Sequence, residues 1–376
     1  MYLSFFRLNK SFYILPIPKF ILLLLERKFY IQSYFYKLGV KIKKRIFITG
    51  VAGFLGSHLA EEMIREGYEV VGCDNLLGGY LDNVPSKVEF YQEDCTDLNS
   101  MVKITKNVDV VYHCAAAPYE GLSVFSPCLI TKSIFQSTVS MLSAAIQNNV
   151  KRFVFTSSMA RYGNNKTPFK ESMIPKPQDP YGIAKYSSEL MIKKLSEVHN
   201  MEYVIAVPHN IIGSRQKYDD PYRNVASIFI NRMLQGKQPI IYGDGEQKRC
   251  FSFIQDCIPS LKRMAFDKNV VNKVVNIGPD EEIITINELA KAIADILDFK
   301  LKPIYMPSRP QDIRFAICSS DKARKLLDYK TNYTLKQGLI EMIDYIREKG
   351  HKPFDYHLDI EIINNRIPET WRDRLI

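Results

Sequence analysis

Tyr181 and Lys185 stand four residues apart in "PYGIAKYSSEL", a stretch that reads as the start of a helix. Residues i and i+4 share one helical face. A lysine ammonium beside a phenol favours the phenolate and lowers the tyrosine pKa from its reference of ~10. Such a phenol can take a proton from a substrate hydroxyl near neutral pH. The Tyr-x-x-x-Lys spacing also arises by chance in many helices, so the pair needs a third element. "TSSMARYG", at the end of the strand-like run "RFVF", supplies one: Ser158 is placed to hydrogen-bond the same hydroxyl. The carboxyl ends of strands in open α/β sheets are where ligands sit.

A second constellation lies upstream. "TGVAGFLGSHL" sets Gly50, Gly53 and Gly56 between a buried strand and a helix. Glycines let the backbone turn tightly against a pyrophosphate, and the helix N-terminus offers free N–H groups and a positive dipole end. The spacing is G-x-x-G-x-x-G, and glycines at a turn often have purely conformational reasons. Asp74 closes the next strand in "VVGCDN". A carboxylate there accepts from adenosine ribose hydroxyls and repels a 2′-phosphate, which favours NAD over NADP. Asp94, in "YQEDCTD", ends a third strand-like run; it is placed either to reach an adenine or as an ordinary loop acid.

These residues need a frame. From Arg45 onward short apolar runs alternate with amphipathic stretches: "RIFIT", "YEVVGCD", "VDVVYHCAA", "KRFVFTSS" and "EYVIAVP" read as strands, "GSHLAEEMIREG" and "YGIAKYSSELMIKKLSEVHN" as helices. Wholly apolar strands alternating with helices imply a parallel sheet covered on both faces, the doubly wound, Rossmann-type α/β class. The expected organisation is a basic extension over 1–43, an NAD-binding domain over 44–207 and a smaller substrate lobe over 208–376, with part of 250–280 able to return to the first domain.

Composition is that of an ordinary globular chain, 46% hydrophobic and 24% charged. The formal charge of +10 is concentrated at one end: residues 1–45 hold ten Lys or Arg against Glu26 alone, and the remainder holds 41 basic against 40 acidic residues. A near-neutral body lacks the electrostatic footprint of nucleic-acid binding. The extension's apolar run "FILLLL" is six residues, whereas a membrane-spanning helix needs ~20. A membrane-surface segment, an extra helix packed on the body and a translation start nearer residue 40 stay open, the last two preferred. Seven scattered cysteines without a C-x-x-C pair suit a reduced, cytoplasmic setting, and the histidines show no metal-ligand spacing.

The ordered set of glycine turn, Asp74, "HCAAA", "SSMARYG", "PYGIAK", "PHNIIGSRQ" and "YGDGEQKRCFSFIQD" resembles the extended short-chain dehydrogenases/reductases. Within them it most resembles the NAD-dependent nucleotide-sugar epimerases of the UDP-glucose/UDP-galactose 4-epimerase kind, over roughly Lys44 to Leu327. The resemblance implies Ser158, Tyr181 and Lys185 as catalytic residues. It implies Gly50, Gly53, Phe54, Leu55 and Gly56 as the pyrophosphate turn, Asp74 and Asn75 at the ribose, Asp94 and Cys95 at the adenine, and Cys114, Ala115 and Ala116 along the groove. It implies Asn210, Arg249 and Arg309 on the diphosphate of a nucleotide-diphospho-sugar, a role that suits the planar guanidinium, and Asp312 near the uridine ribose. A homodimer is also implied.

Related 4,6-dehydratases and decarboxylases carry a Glu two residues before the tyrosine of the "YG" pair, often preceded by Asp. Here those positions are Ala160 and Met159, which favours 4-epimerisation of a UDP-hexose or UDP-N-acetylhexosamine. A net oxidoreductase and an inactive NAD-binding scaffold are the other readings. In an ungapped register on "RPQDIRFAICSSDKA", Ala316 falls at the family's sugar gate, where a small residue leaves room for an acetamide. Three departures, Val207, Cys250 and Ser133, are expected to ring the substrate pocket.

Overall fold

The computed structural model describes residues 43–376 together with two short strands, Phe6–Leu8 and Ser11–Tyr13, which pair antiparallel with each other. The open readings of the basic extension otherwise lie outside the described residues.

The apolar runs build one seven-stranded parallel sheet. In chain order its strands are β1 (Arg45–Thr49), β2 (Glu69–Asp74), β3 (Glu89–Gln92), β4 (Val110–His113), β5 (Arg152–Thr156), β6 (Glu202–Pro208) and β7 (Lys273–Ile277). Their spatial order is β7-β6-β5-β4-β1-β2-β3. Both faces are buried, and β1 shows it residue by residue: Ile46 and Ile48 enter one apolar cluster with Leu59 and Met63, while Phe47 enters another with Val71, Phe153 and Phe155. Side chains alternate across a strand, so a strand buried on both sides reads as a continuous apolar run.

Strand β1 has β2 on one side and β4 on the other, so the chain reverses its direction of travel across the sheet there. Helices diverge at such a point and leave a crevice at the carboxyl edge. Three helices border it: α1 (Phe54–Arg65), α2 (Pro127–Gln147, with a π-helical stretch at Thr131–Gln136) and α3 (Pro180–His199). Alone among the described helices, α2 is long and apolar enough to cross a bilayer; it packs against α3.

The sheet does not stop at residue 207. Strand β7 pairs with β6 from Lys273↔Val204 to Ile277↔Pro208, and helix Ile254–Met264 packs on α1. Arg45–Ile376 is accordingly one unit. The substrate side is built from short pieces: Lys248–Cys250 pairs with Ile283–Thr285 and with Phe315–Ala316, and Ile240–Tyr242 with Ile304–Met306.

Candidate active site

A groove of about 410 Å³ opens at the carboxyl edge between β1 and β4. Gly50 sits in its floor at φ 70°, and a Cβ there would lie 2.9 Å from Ala115 N. A Cβ on Gly56 would lie 2.1 Å from Gly50 O, so this turn closes only without side chains. Helix α1 begins at Gly53 with no side-chain cap, which leaves its first N–H groups for an anion. Asp74 Oδ2 and Oδ1 accept from Ala52 N (3.0 Å) and Leu76 N (2.8 Å). Burial raises the Asp74 pKa and these N–H bonds oppose it. Asn75 donates to Asp94 Oδ2 (3.2 Å), and Thr96 N and Oγ1 both donate to Asp94 Oδ1 (2.8 Å). Phe54, Leu55, Cys95, Cys114, Ala115 and Ala116 complete the lining. Every residue expected to touch the cofactor is therefore in one groove. An uncapped helix start, a carboxylate at the end of β2 and apolar walls fit a dinucleotide lacking a 2′-phosphate. Charge-assisted hydrogen bonds are worth about 1.5–3 kcal/mol, so Asp74→Ala should weaken NAD about 10- to 100-fold while NADP loses less. Titration of both cofactors checks this.

Tyr181 enters the far end of the groove on the first turn of α3. Asp179 caps that helix, accepting from Gly182 N at 2.8 Å, and Pro180 occupies its first position. Lys185 follows one turn later, and its Nζ donates to Thr156 O at 2.7 Å. Burial lowers its pKa to about 8, against the pull of Cys114 and Glu189. The ammonium stands 5.9 Å from the Tyr181 ring centroid. Ser158 follows β5 and caps the short turn Met159–Tyr162, its Oγ accepting from Ala160 N at 3.2 Å. One expectation is corrected here. The phenol of Tyr181 is not lowered by Lys185; burial pushes it well above the usual tyrosine value, the Ser158 hydrogen bond pulls it down, and Glu120 and Asp179 push it up. The ammonium donates to the Thr156 carbonyl and keeps its charge, but desolvation of a phenolate outweighs it.

Tyr181 also lines a second cavity of about 400 Å³, the size of a small-molecule site. Ser158 is beside it. Asn210, Arg249, Arg309 and Asp312 line the same cavity. Asn210, at φ 43°, donates to Cys250 O at 3.0 Å. Arg249 Nη2 lies 3.4 Å from Asp312 Oδ1, and Arg309 Nη2 lies 3.8 Å from Asp312 Oδ2. The Arg309 guanidinium stacks 4.8 Å over Tyr242, and its buried Nε has no partner.

Ala316 does not line the cavity. It pairs with Arg249 on the edge of a three-stranded sheet and is buried in the cluster that holds Phe155, Phe169 and Cys318. Phe315 is exposed and Ala316 faces the core, away from the cavity lining. Val207 and Cys250 are likewise fully buried, and neither lines the cavity; of the three departures only Ser133 reaches a pocket, the dinucleotide groove.

Two residues were invisible to sequence reasoning. Arg223 lines both cavities, stacks 5.2 Å over Tyr119, hydrogen-bonds Gly78 O and lies 3.5 Å from Asp220. Glu120 projects into the substrate cavity. Both stand in irregular loops, "DDPYRN" and "PYEGLS", where no periodicity tells which side chain turns inward. Among the described residues no cluster of His, Cys, Asp or Glu is placed to hold a metal.

Comparisons with known proteins agree with this geometry. The model of the NAD dependent epimerase/dehydratase family matches residues 46–278. A putative UDP-glucose 4-epimerase of Methanocaldococcus jannaschii is 34% identical over 81% of this chain and 99% of its own length. A UDP-N-acetyl-alpha-D-glucosaminuronate decarboxylase of Bacillus cytotoxicus is 30% identical over 82% and 99%. Among solved structures, the UDP-glucose 4-epimerase of Thermotoga maritima with UDP-glucose superposes with a TM-score of 0.76 at 33% identity, covering 81% of this chain and 99% of that one.

Proposed function

The chain belongs to the NAD-dependent epimerase/dehydratase family, and we propose that it is a nucleotide-diphospho-sugar epimerase that inverts C4 of a UDP-hexose or UDP-N-acetylhexosamine through a 4-keto intermediate. The observation that carries the reading is the double placement of Tyr181, which lines both the dinucleotide groove and the cavity that ends at Arg249 and Arg309. The two arginines take the diphosphate, exchanging their shared partner Asp312 for phosphate oxygens. That length of substrate brings the hexose to Ser158 and Tyr181. Ser158 orients the C4 hydroxyl and Tyr181 takes its proton. Bound NAD supplies a hydride acceptor and, while oxidised, a positive charge that offsets the cost of a buried phenolate. Lys185 adds its own charge and fixes the end of β5. After the keto sugar turns, Tyr181 returns the proton. Met159 and Ala160 can move no proton, which sets this chain apart from the dehydratase and decarboxylase pattern.

The reading includes a cytoplasmic homodimer. Ile183 and Leu190, half exposed and seven residues apart on α3, offer the second copy an apolar strip; light scattering of the purified protein checks the mass. The decisive assay is mass spectrometry and NMR of UDP-glucose and UDP-N-acetylglucosamine incubated with protein and NAD. Unchanged mass with a new axial 4-hydroxyl signal is expected. Loss of water or carbon dioxide, or steady NADH release, would overturn it.

A further inference from the structure

Glu120 leaves the loop after β4 and enters the substrate cavity. Its backbone carbonyl is fixed, accepting from Ser123 N (3.2 Å) and Ser123 Oγ (2.6 Å). Its carboxylate makes no hydrogen bond or ion pair among the described residues. The charges that bear on it come from both ends of the cavity: Asp179, two residues before Tyr181, and Arg249, Asp312 and Arg309. Glu120 in turn acts on Tyr181. A Cβ on the neighbouring Gly121 would lie 3.3 Å from Arg309 Nη1 and 3.3 Å from Trp371 Cη2, so the backbone here is wedged against the arginine. Glu120 thus stands between the phenol, which acts at C4, and the arginines, which take the diphosphate. The part of a nucleotide sugar that fills this span is the hexose ring.

We propose that Glu120 is a catalytic acid–base that removes and returns the ring proton at a carbon next to the C4 carbonyl, giving the site an α-proton exchange activity besides C4 inversion. The proposal rests on the 4-keto intermediate of the reading above. The electron pair of the C3–H or C5–H bond becomes the C=C bond of an enol, and the carbonyl π pair moves onto the C4 oxygen. There the Tyr181 hydroxyl donates its proton, the C–H proton resides on Glu120, and the reverse step restores the ketone; nothing is oxidised or reduced. Glu120 is an exposed residue facing the open cavity; the desolvating cavity wall and then Asp179 push its carboxyl up to about 7, against the two arginines. A carboxyl near neutrality both takes and gives protons.

The test uses UDP-4-keto-6-deoxyglucose in D₂O with the NAD-loaded protein, followed by NMR. This probe arrives already oxidised, so its result stands apart from hydride transfer. Wild type is expected to place deuterium at C3 or C5 at least about tenfold faster than the protein-free control, in keeping with acid–base catalysis. Glu120→Gln should fall to the control rate and Glu120→Asp should keep part of the exchange, each with unchanged NAD binding and melting temperature. Wild-type exchange equal to the control, or Glu120→Gln exchanging like wild type, would overturn the proposal. If UDP-glucose and UDP-N-acetylglucosamine stay unchanged while exchange persists, C4 inversion of these sugars fails and Glu120 does not.

Discussion

Tyr181→Phe is expected to lower turnover by about 10²- to 10⁴-fold, the range a positioned proton-transfer group supplies, with NAD still bound. The ring of Tyr181 packs in an apolar cluster with Ala117, Tyr119 and Ala184, and phenylalanine keeps those contacts. Only the hydroxyl is lost, and with it the proton acceptor and the partner of Ser158. Cofactor affinity is set at the other end of the groove by the glycine turn and Asp74. Turnover of the sugar and retained NAD are therefore read separately; a variant within about threefold of wild type would contradict a role of this size. A pH profile probes the same machinery. The Lys185 pKa is held near 8 by burial, below the ordinary 10.5. Activity that needs the ammonium should fall as pH rises through about 8, and Lys185→Met should erase that limb. The stability effect has the opposite sign. The unfolded chain binds more protons than the folded one between about 8 and 10.5, so this residue's contribution to stability rises with pH across that window.

Chemistry carried within one element was legible from the sequence. The turn at Gly50–Gly56 and the Tyr181–Lys185 pair are fixed by local geometry, and their spacing is their structure. The parallel sheet was legible because both faces of β1 and β5 are buried, which makes their runs apolar throughout. What escaped depends on tertiary neighbours. Ala316 was misplaced because a strand of two residues carries no alternation from which to read its inward face. The Tyr181 phenol was misjudged because spacing shows the lysine beside it but not the burial that dominates the phenol. Strand β7 lies about seventy residues beyond β6, and no local signal in "KVVNI" says which edge it joins. Glu120 and Arg223 are ordinary loop charges until the fold points them into a cavity.

The same dependence on neighbours marks the largest expected stability effect. Glu189 lies two turns beyond Tyr181 on α3 and is fully buried; Arg161, in the turn after Ser158, is 3% exposed. Arg161 Nε lies 2.9 Å from Glu189 Oε1, which also accepts from Ser157 Oγ at 2.6 Å. Glu189→Ala strands a guanidinium in the interior, and breaking a buried pair costs about 3–5 kcal/mol. Urea unfolding should show that loss. Arg161→Met with Glu189→Leu removes both charges and should recover most of it, since apolar replacement of a buried ion pair is often neutral. Activity should not recover with it. Ser157 adjoins Ser158, and its bond to Glu189 is one of the ties, beside that of Lys185 to Thr156 O, between the serine turn and the helix bearing Tyr181 and Lys185. The double variant keeps the packing and loses that tie, so it should be stable, bind NAD and turn over slowly, chiefly through kcat. Full activity in a stable double variant would reduce the pair to packing alone.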